Sequence, residues 1–165
     1  FGLTQGGKQK LAGLLVFITD VHSLSLPVAQ GLQLNSAFYW NQDDATRAFS
    51  KRFFAAVHHM PTMSQAGVWS ALHHYFEAVQ ALGTKDPGKV MAKMRDTPIN
   101  DFMTHDGKLR IDGRVLRDLY LFQVKTPAES KYPWDYYKQL RVIPPEEAFR
   151  PLDKGGCPLV TAAQK

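Results

Sequence analysis

The sequence has little cysteine, no long hydrophobic run and no concentrated charge. Cys157 is its only cysteine, which excludes an internal disulfide framework and a cysteine-rich metal site within the chain. No apolar run approaches the roughly 20 residues of a membrane-spanning helix. The 20 Lys and Arg residues exceed the 15 Asp and Glu residues, which gives a net charge of +5. The basic residues are scattered from Lys8 to Lys165. We therefore predict a general basic surface and no nucleic-acid partner.

Sequence motifs for catalysis and metal binding are also absent. There is no Gly-x-Ser-x-Gly elbow and no phosphate loop. The pairs His58-His59 and His73-His74 are adjacent, whereas two zinc ligands on one helix are commonly four residues apart. Asp43-Asp44 and Glu146-Glu147 have the positions of helix-capping and first-turn carboxylates. We predict no catalytic residue, no metal and no cofactor.

The chain begins at Phe1 with neither an initiator methionine nor a basic and apolar signal segment. We expect a processed or truncated product on this ground. The missing signal peptide therefore does not argue against export.

The most informative stretch runs from Leu11 to Leu26, where an apolar run stops at Asp20 and His22. About eight apolar residues without alternation predict a strand that is buried on both faces of a sheet. Ligands of α/β proteins bind beyond the carboxyl ends of such strands, so Asp20 and His22 become candidate ligand contacts. In the alternative interpretation, Asp20 caps the helix that follows the loop.

A second aromatic segment, Ala37–Trp40, also predicts a strand. Tyr39 and Trp40 at its end are candidates for the wall of an apolar ligand site. The alternative is that both rings pack in the core.

Three helices should follow. Asn41–Asp44 supplies an N-cap for a helix that ends near His58, and a long helix should run from about Met63 to a stop at Gly83. Asp86-Pro87 should start a short third helix. In the long helix, one predicted stripe consists of Val68, Ala71, Leu72, Tyr75, Val79 and Leu82.

The last part of the chain has the pattern of strands. Lys108–Ile111 predicts a short extended piece, and Asp118–Lys125 and Tyr136–Ile143 predict two strands separated by a loop at Pro127–Pro133. A helical turn is expected at Glu146–Phe149. The whole order predicts a mixed α/β chain, although the neighbours that a doubly buried first strand needs are not obvious in it.

The order of these segments resembles the C-terminal half of the type I periplasmic solute-binding proteins of ABC transporters, in the Leu/Ile/Val-binding or branched-chain amino acid group. The resemblance implies an α/β fold that is the incomplete C-terminal half of a two-lobed periplasmic-binding-protein type I fold, in which hinge closure traps the ligand. The segments that carry it are Leu11–Gly31, Phe38–Phe54, Ala66–Thr84, Asp106–Arg114 and Asp118–Lys125.

The resemblance also implies a division of the chain between two lobes. Residues 1–37 would belong to the C-terminal lobe, 38–40 to a hinge crossing, 41–117 to the N-terminal lobe, and 118–165 to the return crossing and the C-terminal lobe tail. The implied partners are a small-molecule solute, the missing N-terminal half of the same protein and the membrane-embedded ABC permease subunits. The implied location is the periplasm.

By resemblance, Asp20 matches the position of a Glu that holds the amino group of the ligand. Thr19–His22 replaces the usual Gly-Pro-Glu-Gly type of turn, which leaves aromatic or other carboxylates open besides amino acids. Gln65 lies near a wall position of the N-terminal lobe. The predicted ligand-binding residues are thus Asp20, His22, Tyr39, Trp40 and Gln65.

Two other classes of function remain open at this point. One is a small α/β enzyme that uses Asp20 and His22 as an acid/base pair. The other is a stand-alone interaction domain, which the apolar helix stripe and the basic pI would serve. The interpretation that we favour is a non-catalytic, extracytoplasmic solute-binding component of an ABC importer.

Overall fold

A computed structural model describes residues 9–156 and residue 160 of the chain. Predictions about Cys157 and the first eight residues therefore lie outside the described residues. The strands are β1 Ala12–Gly13, β2 Gln33–Ser36, β3 Lys108–Leu109, β4 Val115–Leu116, β5 Leu119–Val124 and β6 Tyr137–Ile143. The helices are α1 Ile18–Leu24, α2 Leu26–Ala29, α3 Asp44–Val57, α4 Met63–Leu82, α5 Pro87–Asp96 and α6 Pro145–Ala148, followed by a 3-10 turn at Leu152–Lys154.

The chain divides into two compact units. The first contains Phe1–Ala66 and Leu119–Val142, and the second contains Gly67–Asp118 and Ile143–Lys165. The lobe boundaries expected from the resemblance concern a larger protein and stay a prediction.

The first unit is built on a four-stranded sheet with the order β1-β2-β5-β6. β1 is parallel to β2, and β2 is antiparallel to β5 with Leu34 opposite Phe122. Both of these side chains are buried. The core cluster around them consists of Ile18, Val21, Ala29, Leu34, Tyr39, Phe122, Val124, Trp134 and Tyr137.

The predicted long first strand is wrong. Only Ala12–Gly13 pairs in the sheet, because the chain turns directly afterwards. This turn brings Val16 so close to Gly13 that a Cβ atom at position 13 would collide with the Val16 side chain. The next residues form α1, so Asp20 and His22 lie within a helix instead of beyond a strand. Leu14 is 95% exposed rather than buried on both faces of a sheet.

The second predicted strand is displaced by four residues. The ladder with β5 runs over Gln33–Ser36, and residues 37–40 are irregular. The side chain of Ser36 explains where the strand ends, because its hydroxyl accepts a hydrogen bond from Phe38 N–H at 3.2 Å and donates one to Phe38 C=O at 2.8 Å. This local bonding replaces continued pairing with a neighbouring strand.

The three predicted helices are confirmed, and each begins at a side-chain cap. Asp43 accepts the N–H of Thr46 at 2.7 Å at the start of α3, and Asp86 accepts the N–H of Lys89 at 2.9 Å at the start of α5. Gly83, with φ +63°, follows the last residue of α4. Glycine adopts this left-handed conformation without steric cost.

Most of the predicted stripe of α4 is exposed, and only Tyr75 and Val79 of it are half-buried. The buried residues of α4 are Ala66, Ser70, His74 and Ala78. Two polar members of this set have partners in the second unit: Ser70 donates to Asp101 at 2.5 Å, and the Nε2 atom of His74 lies 2.8 Å from the carbonyl oxygen of Met94. Small and hydrogen-bonded side chains therefore take the inner face, and large apolar ones remain exposed.

The later strands agree with the predictions within a few residues. β5 and β6 lie inside Asp118–Lys125 and Tyr136–Ile143, and the short β3 pairs antiparallel with β4. The helical turn expected at Glu146–Phe149 is α6. None of the helices in the described residues is long and apolar enough to span a membrane.

Candidate functional site

The start of α1 places Asp20 in its first turn. Oδ2 of Asp20 accepts the N–H of Phe17 at 2.8 Å, so this carboxylate caps the start of its own helix and not, as the alternative interpretation expects, the helix that follows the loop. Asp20 is nevertheless exposed, and a carboxylate has a second oxygen with further acceptor capacity. The residue can cap its helix and still accept from a cationic group in solution.

His22 contacts two aromatic residues, Trp134 and Tyr136, that lie more than a hundred positions later in the sequence. Its ring stacks on that of Trp134 with centroids 4.0 Å apart and an angle of 10° between the planes. Its Nδ1 lies 2.7 Å from the hydroxyl of Tyr136. Asp20 and His22 thus have separate partners, Phe17 N–H for the carboxylate and Trp134 and Tyr136 for the imidazole.

Tyr39 and Trp40 converge on the same tryptophan. The indole Nε1–H of Trp40 donates to the carbonyl oxygen of Trp134 at 2.9 Å, and the hydroxyl of Tyr39 donates to it at 3.3 Å. Tyr39 is buried, and Trp40 is half-buried. The structure therefore brings three of the five predicted residues, His22, Tyr39 and Trp40, together at Trp134.

Gln65 stands at the start of α4 and completes a capping box. Its Oε1 accepts the N–H of Thr62 at 2.9 Å and the hydroxyl of Thr62 at 2.5 Å. The Thr62 hydroxyl in turn accepts the N–H of Ser64 at 3.1 Å. The capping pattern Thr-x-x-Gln thus fixes this helix end, and the Oε1 atom of Gln65 is occupied in doing so.

An ion pair holds the segment that carries Trp134, which we call the 131–137 turn. Oδ1 of Asp135 lies 2.5 Å from Nζ of Lys125, and Oδ2 accepts the N–H of Lys131 at 3.0 Å. Asp135 is only 2% exposed, so both oxygens of a buried carboxylate are satisfied. The pair fixes the turn to the end of β5.

A narrow cleft in the first unit lies where three of the predicted segments meet. Its walls come from the start of α1, the 38–40 segment, the start of α4 and β6, and it holds about 10 Å³ of free space. Its lining includes Phe17, Ile18, Phe38, Tyr39, Thr62, Met63 and Tyr137. The lining is mostly apolar and aromatic, but this volume holds no more than about one water molecule, so the cleft can supply a wall of a ligand site and not a whole one.

One polar atom of the cleft lining has no partner. The buried hydroxyl of Tyr137 makes no hydrogen bond in the described part of the chain. Burial raises the pKa of Tyr137, and the nearby Tyr39 and the charge of Asp20 raise it further. The phenol therefore stays protonated and retains a donor for an acceptor that enters the cleft.

A larger, open pocket of about 390 Å³ adjoins the 131–137 turn. Its lining is polar, with Asn41, Gln42 and Gln139 beside the Lys125–Asp135 pair. Tyr39 and Tyr137 line both this pocket and the narrow cleft. These two rings thus separate a polar pocket from an apolar one.

The sequence prediction missed the 131–137 turn. The prediction includes Tyr136 and Tyr137 in a strand without any role and gives Trp134, which follows the predicted loop, neither an element nor a role. A signal was present, because Tyr132-Pro-Trp-Asp-Tyr-Tyr137 has four aromatic residues in six positions, a density that is typical of packed or ligand-facing surfaces. In the described residues, no group of three or more His, Cys, Asp or Glu side chains could hold a metal ion.

The sequence matches the family model described as periplasmic binding protein over residues 1–131. A search of curated protein sequences gave no match. Solved structures do match. A periplasmic binding protein from Burkholderia mallei has 45% identity and a TM-score of 0.87, over 94% of this chain and 41% of that chain.

A second solved structure, from Burkholderia xenovorans LB400, is described as a branched-chain amino acid ABC transporter periplasmic ligand-binding protein. It has 44% identity and a TM-score of 0.89, over 96% of this chain and 44% of that chain. A leucine-, isoleucine-, valine-, threonine- and alanine-binding protein from Brucella ovis shares the fold at 18% identity, with a TM-score of 0.71 over 92% of this chain and 40% of that chain. The chain thus spans about two fifths of the length of these proteins.

Proposed function

The chain belongs to the periplasmic binding protein family, and on that premise we propose that it is part of the extracytoplasmic solute-binding component of an ABC importer. Its fold is a partial α/β type I periplasmic-binding-protein fold, which confirms the predicted fold class and the resemblance. The observation that carries the proposal is the match to two Burkholderia structures at 44–45% identity. The protein that contains this chain would capture a solute outside the cytoplasm and deliver it to membrane permease subunits.

We place one wall of the solute site in the first unit, along the narrow cleft. Phe17, Phe38 and Met63 supply apolar surface there, and the hydroxyl of Tyr137 is an unused donor. Asp20 adds an exposed carboxylate beside the cleft. The cleft is too small to enclose a solute, so these groups would form one wall against the apolar body and the polar end of an amino acid or an aromatic or other carboxylate.

The five residues predicted from the sequence have different parts in this proposal. Asp20 accepts from an amino group of the solute through the oxygen that does not cap α1. Tyr39 lines the cleft, and Gln65 offers its amide nitrogen from the start of α4. His22 and Trp40 contact the 131–137 turn and hold the wall in shape. The match to the periplasmic binding protein family and to a periplasmic ligand-binding protein supports binding rather than acid/base catalysis.

Calorimetric titration of the longer protein with L-leucine, L-phenylalanine and benzoate tests the proposal. We expect at least one of the three to bind. Because a hydrogen bond to a charged group contributes about 1.5–3 kcal/mol, Asp20→Ala should weaken binding of an amino acid roughly 10- to 100-fold. Asp44→Ala is the matched control, since this carboxylate is fully exposed and pairs with Arg47.

Two results would contradict the proposal. Absence of binding by all three compounds would remove the solute site in this form. An Asp20→Ala variant with unchanged affinity for a bound amino acid would show that Asp20 does not contact the solute.

A further inference from the structure

The open, polar pocket of about 390 Å³ beside the 131–137 turn has no part in the solute wall proposed above. Its volume lies in the range of small-molecule sites. All of its lining residues belong to the first unit. Its polar side chains include Asn41, Gln42, Lys125, Tyr132 and Gln139, and their hydrogen bonds show which kind of ligand they can still take.

The oxygens of two amide side chains in the pocket are already bonded. Oε1 of Gln42 accepts the N–H of Tyr39 at 2.8 Å. Oδ1 of Asn41 accepts a hydrogen bond from Nη1 of Arg47 at 3.0 Å. Both amides therefore have their oxygen engaged within the protein, and their nitrogens are the groups with hydrogens to spare.

The buried ion pair at the pocket is likewise closed to further donors. Asp135 is 2% exposed, and its two oxygens bind Nζ of Lys125 and the N–H of Lys131. Lys125 differs from its partner, because its side chain is 20% exposed and an ammonium group has three hydrogens. One of them serves Asp135, and two remain to be donated.

Tyr132 contributes one more donor. Its hydroxyl oxygen accepts from Nδ2 of Asn41 at 2.6 Å, so the hydroxyl hydrogen is left to donate. The ring is 45% exposed, which keeps this hydroxyl within reach of a dissolved molecule. Spare donors thus come from Asn41, Gln42, Lys125 and Tyr132.

We propose that this pocket is a binding site for a small oxyanion, either a carboxylate or an inorganic oxyanion such as phosphate. An oxyanion carries acceptor atoms, which match the spare donors of the pocket. A cation would find the Asp135 carboxylate already bonded. Because Lys125 and Asp135 have no net charge together, hydrogen bonds supply most of the attraction. The site is distinct from the narrow cleft, since Tyr39 and Tyr137 separate the two.

Titration of the longer protein with sodium phosphate, and separately with sodium acetate, tests the site. The side-chain amide signals of Asn41 and Gln42 are followed by nuclear magnetic resonance at constant pH and ionic strength. We expect both signals to shift and to saturate with at least one of the two anions. The amide signal of Gln80, which is exposed on α4 in the second unit, should not shift.

Two variants locate the anion in the pocket. Gln139→Glu adds a like charge at an exposed lining position and should weaken binding about 10-fold. Gln80→Glu is the matched control, because it makes the same chemical change away from the pocket, and it should leave the affinity unchanged. Tyr132→Phe removes a single donor and should weaken binding about 3-fold.

The outcomes separate this site from the proposed function. Absence of a saturable shift with both anions would overturn the proposal, and so would equal effects of Gln139→Glu and Gln80→Glu. Tighter binding of phosphate would assign an inorganic oxyanion, and tighter binding of acetate a carboxylate. Anion binding in a protein that takes none of L-leucine, L-phenylalanine and benzoate would retain this site and reject the solute site in the cleft.

Discussion

The 131–137 turn and the outer face of α4, which consists of Val68, Leu72 and Phe76, both have large apolar side chains, but within the described residues only those of the turn are packed. At the turn, Trp134 stacks on His22 and its carbonyl oxygen accepts from Tyr39 and Trp40. On α4, the large side chains of Val68, Leu72 and Phe76 are exposed. The difference separates a closed region, whose side chains pack on one another, from a helix face whose side chains are exposed.

Replacement of Trp134 by Ala should have the largest effect on the closed region. The variant loses the stacking on His22 and leaves a cavity in the core cluster, which typically costs about 3–5 kcal/mol of unfolding free energy. Urea denaturation of residues 1–165 measures this loss. Trp134→Phe, which retains a ring, should lose clearly less. Equal stability of wild type and Trp134→Ala would show that the turn does not hold the first unit together.

Asp135→Asn should be the next most damaging change. It removes the buried charge that pairs with Lys125. Breaking a buried pair on one side costs about 3–5 kcal/mol, and we expect the lower end because the Lys125 side chain is 20% exposed. A double-mutant cycle with Lys125→Met measures the coupling. The double variant should recover part of the loss, because no unpaired charge then remains. A loss in the double variant that equals the sum of the losses in the two single variants would contradict a direct coupling of Asp135 with Lys125.

Alkaline pH should weaken the same region. Burial raises the pKa of both Tyr39 and Tyr137, so the folded state retains these protons at a pH where unfolded tyrosine, with a pKa near 10, releases them. Stability is then complete below about pH 10 and falls as the pH rises above it, by about 1 kcal/mol per tyrosine near pH 11.

Tyr137→Phe separates the two phenols. The hydroxyl of Tyr137 has no partner in the described residues, so its removal should leave stability at pH 7 nearly unchanged. Urea midpoints between pH 7 and pH 11 should show about half of the alkaline loss that the two tyrosines cause together. An unchanged pH profile in this variant would exclude Tyr137 as a source of that loss.

The smallest effect is expected on the outer face. In residues 1–165, Phe76→Ala should change the unfolding free energy by no more than about 0.5 kcal/mol, because the ring is mostly exposed. Phe122→Ala is the matched control in the closed region, where the ring is buried against Tyr39 and Tyr137, and it should lose about 3–5 kcal/mol. Similar losses in both variants would contradict the distinction between the two regions.

The elements that could be predicted from the sequence are those with local signals. Capping aspartates mark the first turns of α3 and α5, and Gly83 marks the C-terminus of α4. β5 and β6 have the composition of strands, and the order of segments sufficed to identify the family. Local patterns of this kind require no knowledge of the partner surface.

The failures arise where the outcome depends on distant residues. The run from Leu11 has the composition of a buried strand. The turn at Gly13–Val16 nevertheless ends the strand pairing, and the capping by Asp20 starts α1 in its place. Hydrophobicity likewise identified the stripe of α4 without showing that Ser70 and His74 would find partners on the inner face. Trp134 was missed because its role depends on His22 and Tyr39, which lie about a hundred residues earlier in the chain.

The central claim is that the start of α1, the 38–40 segment and the start of α4 form one wall of a solute site. A crystal structure of the longer protein with a bound amino acid or aromatic carboxylate tests it most directly. The account predicts ligand atoms within about 4 Å of residues in all three segments, with the hydroxyl of Tyr137 directed at the ligand. A ligand bound in contact with none of these segments would contradict it.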